Sequence, residues 1–549
     1  MSTGKKHHRP YRLSVVMIVK NEAENLSISL PAVANWADEI VILDSGSSDE
    51  SQAVAKQYGA KWHVNANWPG FGKQRQIAQS YASGDWILAL DADEEVSDTL
   101  KQSILSVIDQ TPGNVIYGIK RLDCIFGHQI DCPFWPVKAH WRLYPRQFQY
   151  NDNKVHESVD LKNAQTRSLK GFLHHHTAPD PHFWLSKRLE YAKTWAKERA
   201  EKGKKTNVLT IVFKTFWALI KQYVIDGRFI QGKYGFIYAC LFTQYTFNKY
   251  ALLYDMGRQP QTYSPDFEPH SINRHNLFNR PLPEKITGKK HSISVVMIVK
   301  DEQKHLPACL YNIYDIVDEI VILDSGSTDS TRSIAKYFNA KWHVNNDWLG
   351  FGKQRQIAQR FASGDYILML DPDELLNETL KASILAIANT ENMEKAAYSI
   401  RYANIFCGQA AHGNAWYFDQ IVRFYPNRYF EYHDYEVHES LNYGSATVHN
   451  LKGYIEHFTN DNLYHFLFKN VRYSHDWAKE KYEKGGKSSS VISLPFRTFF
   501  SFFREFVIRG AFLGGAYGFF LAVSASGYNF NKYLMLFEKK SCDKNKKDK

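Results

Sequence analysis

Apolar positions along this chain come in short β-branched bursts, each closed by a polar cluster and followed by an amphipathic stretch. Ser14 to Val19 is the first burst. Lys20-Asn21-Glu22 close it and periodic apolar residues continue through Leu30, which predicts strand, loop and helix. Ile40 to Leu43 predicts a second strand, ended by Asp44-Ser45-Gly46-Ser47-Ser48-Asp49, with Ser48 as N-cap of a helix from Glu50 to Tyr58. Lys61 to Val64 reads as a third strand, followed by a Gly-rich turn and a helix from Lys73 to Ala82. Trp86 to Leu90 is the fourth, ending in Asp91-Ala92-Asp93. Strands alternating with helices argue for an α/β fold with a mainly parallel sheet, in which ligands bind at the carboxyl ends of strands. Every polar signature falls at such an end.

The pattern is written twice. SVVMIVK starts at Ser14 and Ser294, DEIVILDSGS at Asp38 and Asp318, and GFGKQRQIAQ at Gly70 and Gly350. Farther on, VHES starts at Val155 and Val437, and FNKY at Phe247 and Phe530. A repeat of this length is a whole domain, not a solenoid unit. The expected organisation is a first domain over 11–257, a Pro-, Asn- and His-rich linker over 258–290, a second domain over 291–538 and a basic tail over 539–549. In a chain of 549 residues, 44% hydrophobic and 23% charged, wholesale disorder and disulfide miniproteins are excluded. None of the six cysteines has a cysteine at its matched position, so a shared disulfide or cysteine–zinc site is not expected. The His174-His175-His176 run invites a metal cluster, yet only His175 has a histidine counterpart, His457, and a loop histidine or phosphate contact is the expectation.

The acidic pair after the fourth strand carries the most chemistry. Strand alternation is expected to point Asp91 and Asp93 the same way, and paired carboxylates repel unless a cation sits between them. Oxygen-only ligation suits Mg²⁺ or Mn²⁺, with phosphate oxygens completing the shell. Asp371-Pro372-Asp373 repeats the pair. A phosphate-binding loop of the GxxxxGK[ST] type fails at Gly70-Phe71-Gly72-Lys73, because Asn67 stands where its first glycine belongs and Gln74 follows the lysine. A phosphoryl-aspartate hydrolase fails as well, since Glu95 and Leu375 stand two residues past the second Asp.

SVVMIVKNEAENL, DEIVILDSGSSDES, the helix bearing Arg75, SGDWILALDADEE and VHES together resemble family 2 glycosyltransferases of the GT-A fold. More narrowly, they are similar to those that extend the inner core of bacterial lipopolysaccharide or lipooligosaccharide. The resemblance implies two Rossmann-like domains in tandem and a nucleotide-sugar donor, expected to be a UDP-hexose such as UDP-glucose. It implies that Asn21 and Glu22 (Asp301 and Glu302) border the base, and that Asp44 (Asp324) contacts uracil or its ribose. It sets Lys73 and Arg75 (Lys353 and Arg355) toward the diphosphate, with Arg75-Gln76 departing from the family's Arg-Asn pair. Asp91 (Asp371) is implied to meet ribose or water-bridged metal, and Asp93 (Asp373) to ligate the metal. Glu157 (Glu439) is implied as the base that deprotonates the acceptor hydroxyl, giving inversion at the anomeric carbon, with His156 and His438 orienting it or meeting phosphate.

Beyond VHES each copy turns aromatic. Leu209, Val212, Phe213, Phe216, Leu219, Ile220 and Tyr223 share one helical stripe, with Lys214 and Lys221 beside it. Arg497 and Arg504 repeat the cations among Phe499, Phe500, Phe502, Phe503 and Phe506. Such helices suit the interface of an anionic membrane better than a span. Net charge is +11, and 15% of residues are aromatic. Both fit a lipid-linked, phosphorylated oligosaccharide acceptor, and no nucleic-acid partner is expected. The opening MSTGKKHHRPYRLS lacks an apolar signal core, so a cytoplasmic enzyme, peripheral on the inner face of the bacterial inner membrane, is expected. The alternative is one catalytic half joined to a degenerate half that binds glycan or a partner.

Overall fold

The computed structural model describes residues 9–135, 137–153, 157–258, 281–407, 409–410, 420–433, 440–460, 462–486 and 490–547. Residues 259–280 of the expected linker, His156, His438 and Glu439 lie outside the described residues. Among the described residues, nine strands build the first half: β1 (Leu13–Val19), β2 (Glu39–Asp44), β3 (Lys61–Val64), β4 (Trp86–Asp91), β5 (Glu94–Val96), β6 (Val115–Ile125), β7 (His128–Ile130), β8 (Ala139–Pro145) and β9 (Gln165–Ala178). They run in the order β3-β2-β1-β4-β8-β6-β9-β5, with β7 against β6. β1 pairs with β2 and β4 in parallel, while β8 lies antiparallel to β4 and β6. The parallel sheet expected from the first four strands is thus one flank of a mixed sheet. Both its faces are covered, which is why Val15 to Val19 of β1 reads as an unbroken apolar run. Alternate β1 residues feed two cores, Val15 and Met17 on one side and Val16 on the other.

The second half repeats this order strand for strand, from Lys341–Val344 through Ile293–Val299 and Tyr366–Met369 to Glu374–Leu376. The fold is α/β, with two GT-A-type domains in tandem. Register brings the polar strand ends level: Val19 lies opposite Asp44 and Ile18 opposite Asp91, as Val299 lies opposite Asp324. Among the helices, α1 (Ala23–Ser29), α2 (Pro31–Ala34), α3 (Ser51–Gln57), α4 (Phe71–Ser80) and α5 (Asp98–Ile108) flank the first sheet. Ser48 does not cap α3. The turn runs longer than its sequence suggests, Asp49 accepts from Ser51 N, and Ser48 N donates instead to Asn21 Oδ1.

The aromatic ends are helical: α6 (Pro181–Glu201), α7 (Val208–Ile220) and α8 (Gly232–Met256), matched by Leu463–Glu483, Ser493–Phe503 and Gly515–Lys547. These helices join the halves. Leu189, Ala192, Phe247 and Leu252 share one core with Leu463, Leu467 and Phe520, while Trp184, Ile237 and Leu241 share another with Val471, Phe530 and Leu534. Asp255 closes the seam, accepting from Leu463 N at 3.1 Å and from the Tyr517 hydroxyl at 2.8 Å. The charge-free stretch from Tyr234 is therefore a packing helix. α7 behaves differently and leaves Leu209, Phe213, Phe216 and Trp217 exposed, as its counterpart leaves Phe496, Phe499 and Phe500. Lys214 and Arg497 are exposed beside these faces, whereas Lys221 and Arg504 are ion-paired to Asp226 and Glu505. Val208–Ile225 and Ala511–Asp543 are long and apolar enough to cross a membrane by length and composition, with 17% and 44% of the apolar window buried in the protein.

Candidate active site

The site starts where β1 and β2 end. Asn21 takes a left-handed φ of 56°, a conformation Asn and Asp tolerate best after glycine. Its Oδ1 accepts from Ser48 N at 2.7 Å, and Asp301 does the same with Thr328 N. The Asn-to-Asp exchange is therefore absorbed without change of shape, because only the acceptor oxygen is used. Asp44 is buried and accepts from Ser47 N and Oγ, as Asp324 accepts from Ser327. Both carboxylates brace the turn that follows their strand. Glu22 accepts from Asn25 Nδ2 at 2.6 Å; burial, against that bond, raises its pKa. In the second half burial and then Asp373 push Glu302 up to about 7.

Asp91 and Asp93 have different partners. β4 ends at Asp91 and a tight turn intervenes, so strand alternation stops one residue too early. Asp91 is gripped by two guanidiniums, Arg75 Nη2 at 2.5 Å and Arg142 Nη2 at 2.6 Å. Burial would raise its pKa, but Arg142 and Arg75 outweigh that and hold it far below the usual carboxylate range. Arg142 also binds the buried Glu94 at 2.8 Å. In the second half Arg355 and Arg423 hold Asp371, with Arg423 at 3.4 Å from Glu374. Arg142 and Arg423 were not singled out from sequence, although both copies carry Arg two residues before Tyr-Pro.

Asp93 faces histidine. His175, on β9 rather than in a loop, places Nε2 at 3.2 Å from Asp93 Oδ2 and Nδ1 at 2.8 Å from Asp123 Oδ1. Burial would lower its pKa, yet the hydrogen bonds to Asp123 and Asp93 raise it to about 9. His457 stands at 3.5 Å from Asp373, and its Nδ1 meets Asn404 Oδ1 at 3.2 Å. Among the described residues no group of three or more His, Cys, Asp or Glu is arranged to hold a metal alone. Each half offers two donors, Asp93 with His175 or Asp373 with His457, once the imidazole gives up the Nε2 proton it shares with the aspartate. That fits a hard divalent ion whose remaining positions belong to diphosphate oxygens and water, and Asp123 behind His175 is the usual orienting partner of a histidine ligand.

Arg75 is buried, and its Nε also donates to Glu157 Oε1 at 3.1 Å. The guanidinium thus links the first acid of the pair to the glutamate of VHES. Lys73 stays at the surface, bonded to Gln76 at 3.0 Å, as Lys353 is to Gln356 at 3.1 Å. Gln76 Nε2 in turn donates to Tyr150 O at 2.7 Å and anchors the segment leading to Glu157. Gly72 makes that approach feasible, because a Cβ there would stand 2.0 Å from Asn151 O.

The Glycosyl transferase family 2 profile matches residues 14–156 and 294–448, more than half of the chain. An uncharacterized glycosyltransferase of Rickettsia prowazekii is 28% identical over 261 residues, 46% of this chain and 89% of that protein. The lipopolysaccharide core biosynthesis glycosyltransferase LpsC of Rhizobium meliloti is 27% identical over 252 residues, 44% of this chain and 92% of its own length. Among solved structures, glucosyl-3-phosphoglycerate synthase of Mycobacterium tuberculosis, with Mn²⁺, UDP and glucosyl-3-phosphoglycerate, shares 21% identity at a TM-score of 0.17. That match covers 21% of this chain and 44% of the synthase. TarS 1–349 of S. aureus with UDP shares 14% at a TM-score of 0.23, covering 46% of this chain and 93% of that one.

Proposed function

Since the chain belongs to glycosyl transferase family 2 through both halves and is a glycosyltransferase, we propose that it is bifunctional and inverting, with 11–257 and 291–538 each transferring a hexose to a lipid-linked core oligosaccharide of lipopolysaccharide or lipooligosaccharide. UDP-glucose is the proposed donor. The observation that carries this reading is the recurrence of one Asp–His pair, Asp93–His175 and Asp373–His457, at the same place in both sheets. The Rhizobium relative's name supports the acceptor class.

Asp44 and Asp324 frame the nucleotide side, and Lys73 and Lys353 reach toward the diphosphate. Asp93 with His175, and Asp373 with His457, would hold Mg²⁺ or Mn²⁺, which when bound neutralises charge on the departing nucleoside diphosphate. Arg75, fixed by Asp91, steadies Glu157. Glu157, and Glu439 by its matched place in VHES, takes the proton of the acceptor hydroxyl as it attacks from the face opposite the leaving group. The exposed faces of α7 and of Ser493–Phe503, with Lys214 and Arg497 beside them, rest on the cytoplasmic leaflet where such an acceptor is anchored. Asp93→Asn and Asp373→Asn, each in the full chain, should each abolish one transfer and leave the other, read by mass spectrometry of the glycan. Complete product from both single variants overturns the division of labour.

A further inference from the structure

The two halves differ where the acceptor must lie. β1 to β3 form the nucleotide flank, so the ground beyond β4, made by β8, β6 and β9, is left for the acceptor. Arg121, Asp123, His140, Arg142 and His175 occupy alternating positions of these three strands and share one face. At the matched positions the second half has Tyr402, Asn404, Ile421, Arg423 and His457. Two of the five are kept, namely the arginine on the first acid and the histidine on the second. The other three change in charge and polarity.

In the second half this ground carries Tyr402 and Ile421 in place of Arg121 and His140. The Tyr402 hydroxyl accepts from Arg423 Nε at 2.6 Å, and Ile421 adds no polar group. In the first half Arg121 replaces that tyrosine and lies 3.6 Å from Glu94, which Arg142 holds more closely at 2.8 Å. Arg142 Nε is buried and has no hydrogen-bond partner where Arg423 has one. Asp123 bonds His175 directly, with Arg121 a lesser electrostatic neighbour of its carboxylate. Lys138 is exposed nearby, where the second copy of the sequence has Asp419. Burial first, and then Arg121, Arg142 and Lys138, push the pKa of His140 down to about 4.

We propose that Arg121 and Lys138 form an oxyanion-binding subsite for the acceptor of the first half, a phosphate or carboxylate borne next to the attacked sugar, and that the second half takes an acceptor uncharged at that place. The inference rests on the two-site transferase reading above. It implies that the halves serve different acceptors in a fixed manner, with anionic substitution of the glycan sensed by the first half alone.

The test uses full chains carrying Asp373→Asn, which leaves the first half active, or Asp93→Asn, which leaves the second. Each is given lipooligosaccharide from a strain lacking this protein in three forms: untreated, freed of phosphate with aqueous hydrofluoric acid, or carboxyl-reduced. The first half should lose about tenfold or more in kcat/KM on one of the two modified forms, the scale of a lost charge-assisted hydrogen bond, and the modification that matters names the oxyanion. The second half should change less than twofold on either. Arg121→Tyr, which installs the second half's own residue, should bring the first half down to that level on untreated acceptor, with UDP affinity in Mn²⁺ unchanged. Equal rates on all three forms overturn the assignment, and a parallel loss of UDP affinity reassigns these cations to the donor diphosphate and overturns it too. Absence of any transfer by the unsubstituted chain sinks the transferase reading instead.

Discussion

Glu157 receives the Arg75 Nε hydrogen at 3.1 Å, and that bond holds its carboxylate at the rim of the site. A glutamine at this position keeps the acceptor oxygen but cannot take a proton. Glu157→Gln in an Asp373→Asn chain is therefore expected to lower kcat by roughly 10²–10⁴ while UDP binding is spared, measured by initial rates beside calorimetry. An equal loss of donor affinity would reject the base role. Asp91 and Asp93 stand two positions apart in sequence and have different partners in space. Their spacing made the pair legible as a charge cluster, but the turn after β4 sends one to Arg142 and the other to His175. The histidine and the arginine come from β9 and β8, more than fifty residues farther along, and no local pattern links them to the acids.

Between strands, a single glutamate ties the parallel flank together. Glu39 on β2 accepts from Ser14 of β1 at 2.5 Å, from Lys61 of β3 at 2.5 Å and from Ser83 N ahead of β4 at 2.7 Å. Glu319 repeats the arrangement with Ser294, Lys341 and Ser363. Burial opposes ionisation, but the bonds to lysine and serines win and hold both pKa values at about 2. Because the folded value lies below the ordinary one, the stabilisation is complete above about pH 4.5 and is lost as pH falls toward 2. Glu39→Gln should cost about 2 kcal/mol near pH 7, with the gap to the unsubstituted protein closing as pH falls through that window, followed by denaturant unfolding. A gap that stays constant with pH would show that packing, not charge, is what the substitution removes. Strands β1, β2 and β4 were legible because burial on both faces writes them as largely apolar runs, while β3, KWHV, is half-exposed at the edge of the sheet. The antiparallel flank was not, since its long strands β6 and β9 mix charged and apolar residues where they line the site.

At the scale of the molecule, the aromatic ends divide into two uses. α6 and α8 pack on their counterparts and join the halves, whereas α7 and Ser493–Phe503 keep phenylalanines in solvent. Flotation with anionic vesicles should retain the full chain at low salt and release it in part at high salt. Phe213→Ser with Phe216→Ser should weaken retention about tenfold or more, because each buried phenylalanine contributes about 1.5–3 kcal/mol. Failure of the unsubstituted protein to float at low salt would reject membrane attachment.

Duplication, the α/β alternation and the polar clusters at strand ends were all readable from the chain alone, because each is a short-range consequence of which side chains meet water. The joining of the halves through Asp255, and the partners of each acid, were decided only by folding. Both arise from contacts between residues remote in sequence, where register and the course of strands set who meets whom. Identical motifs therefore announced two like sites, while three exchanged side chains on distant strands made those sites unlike.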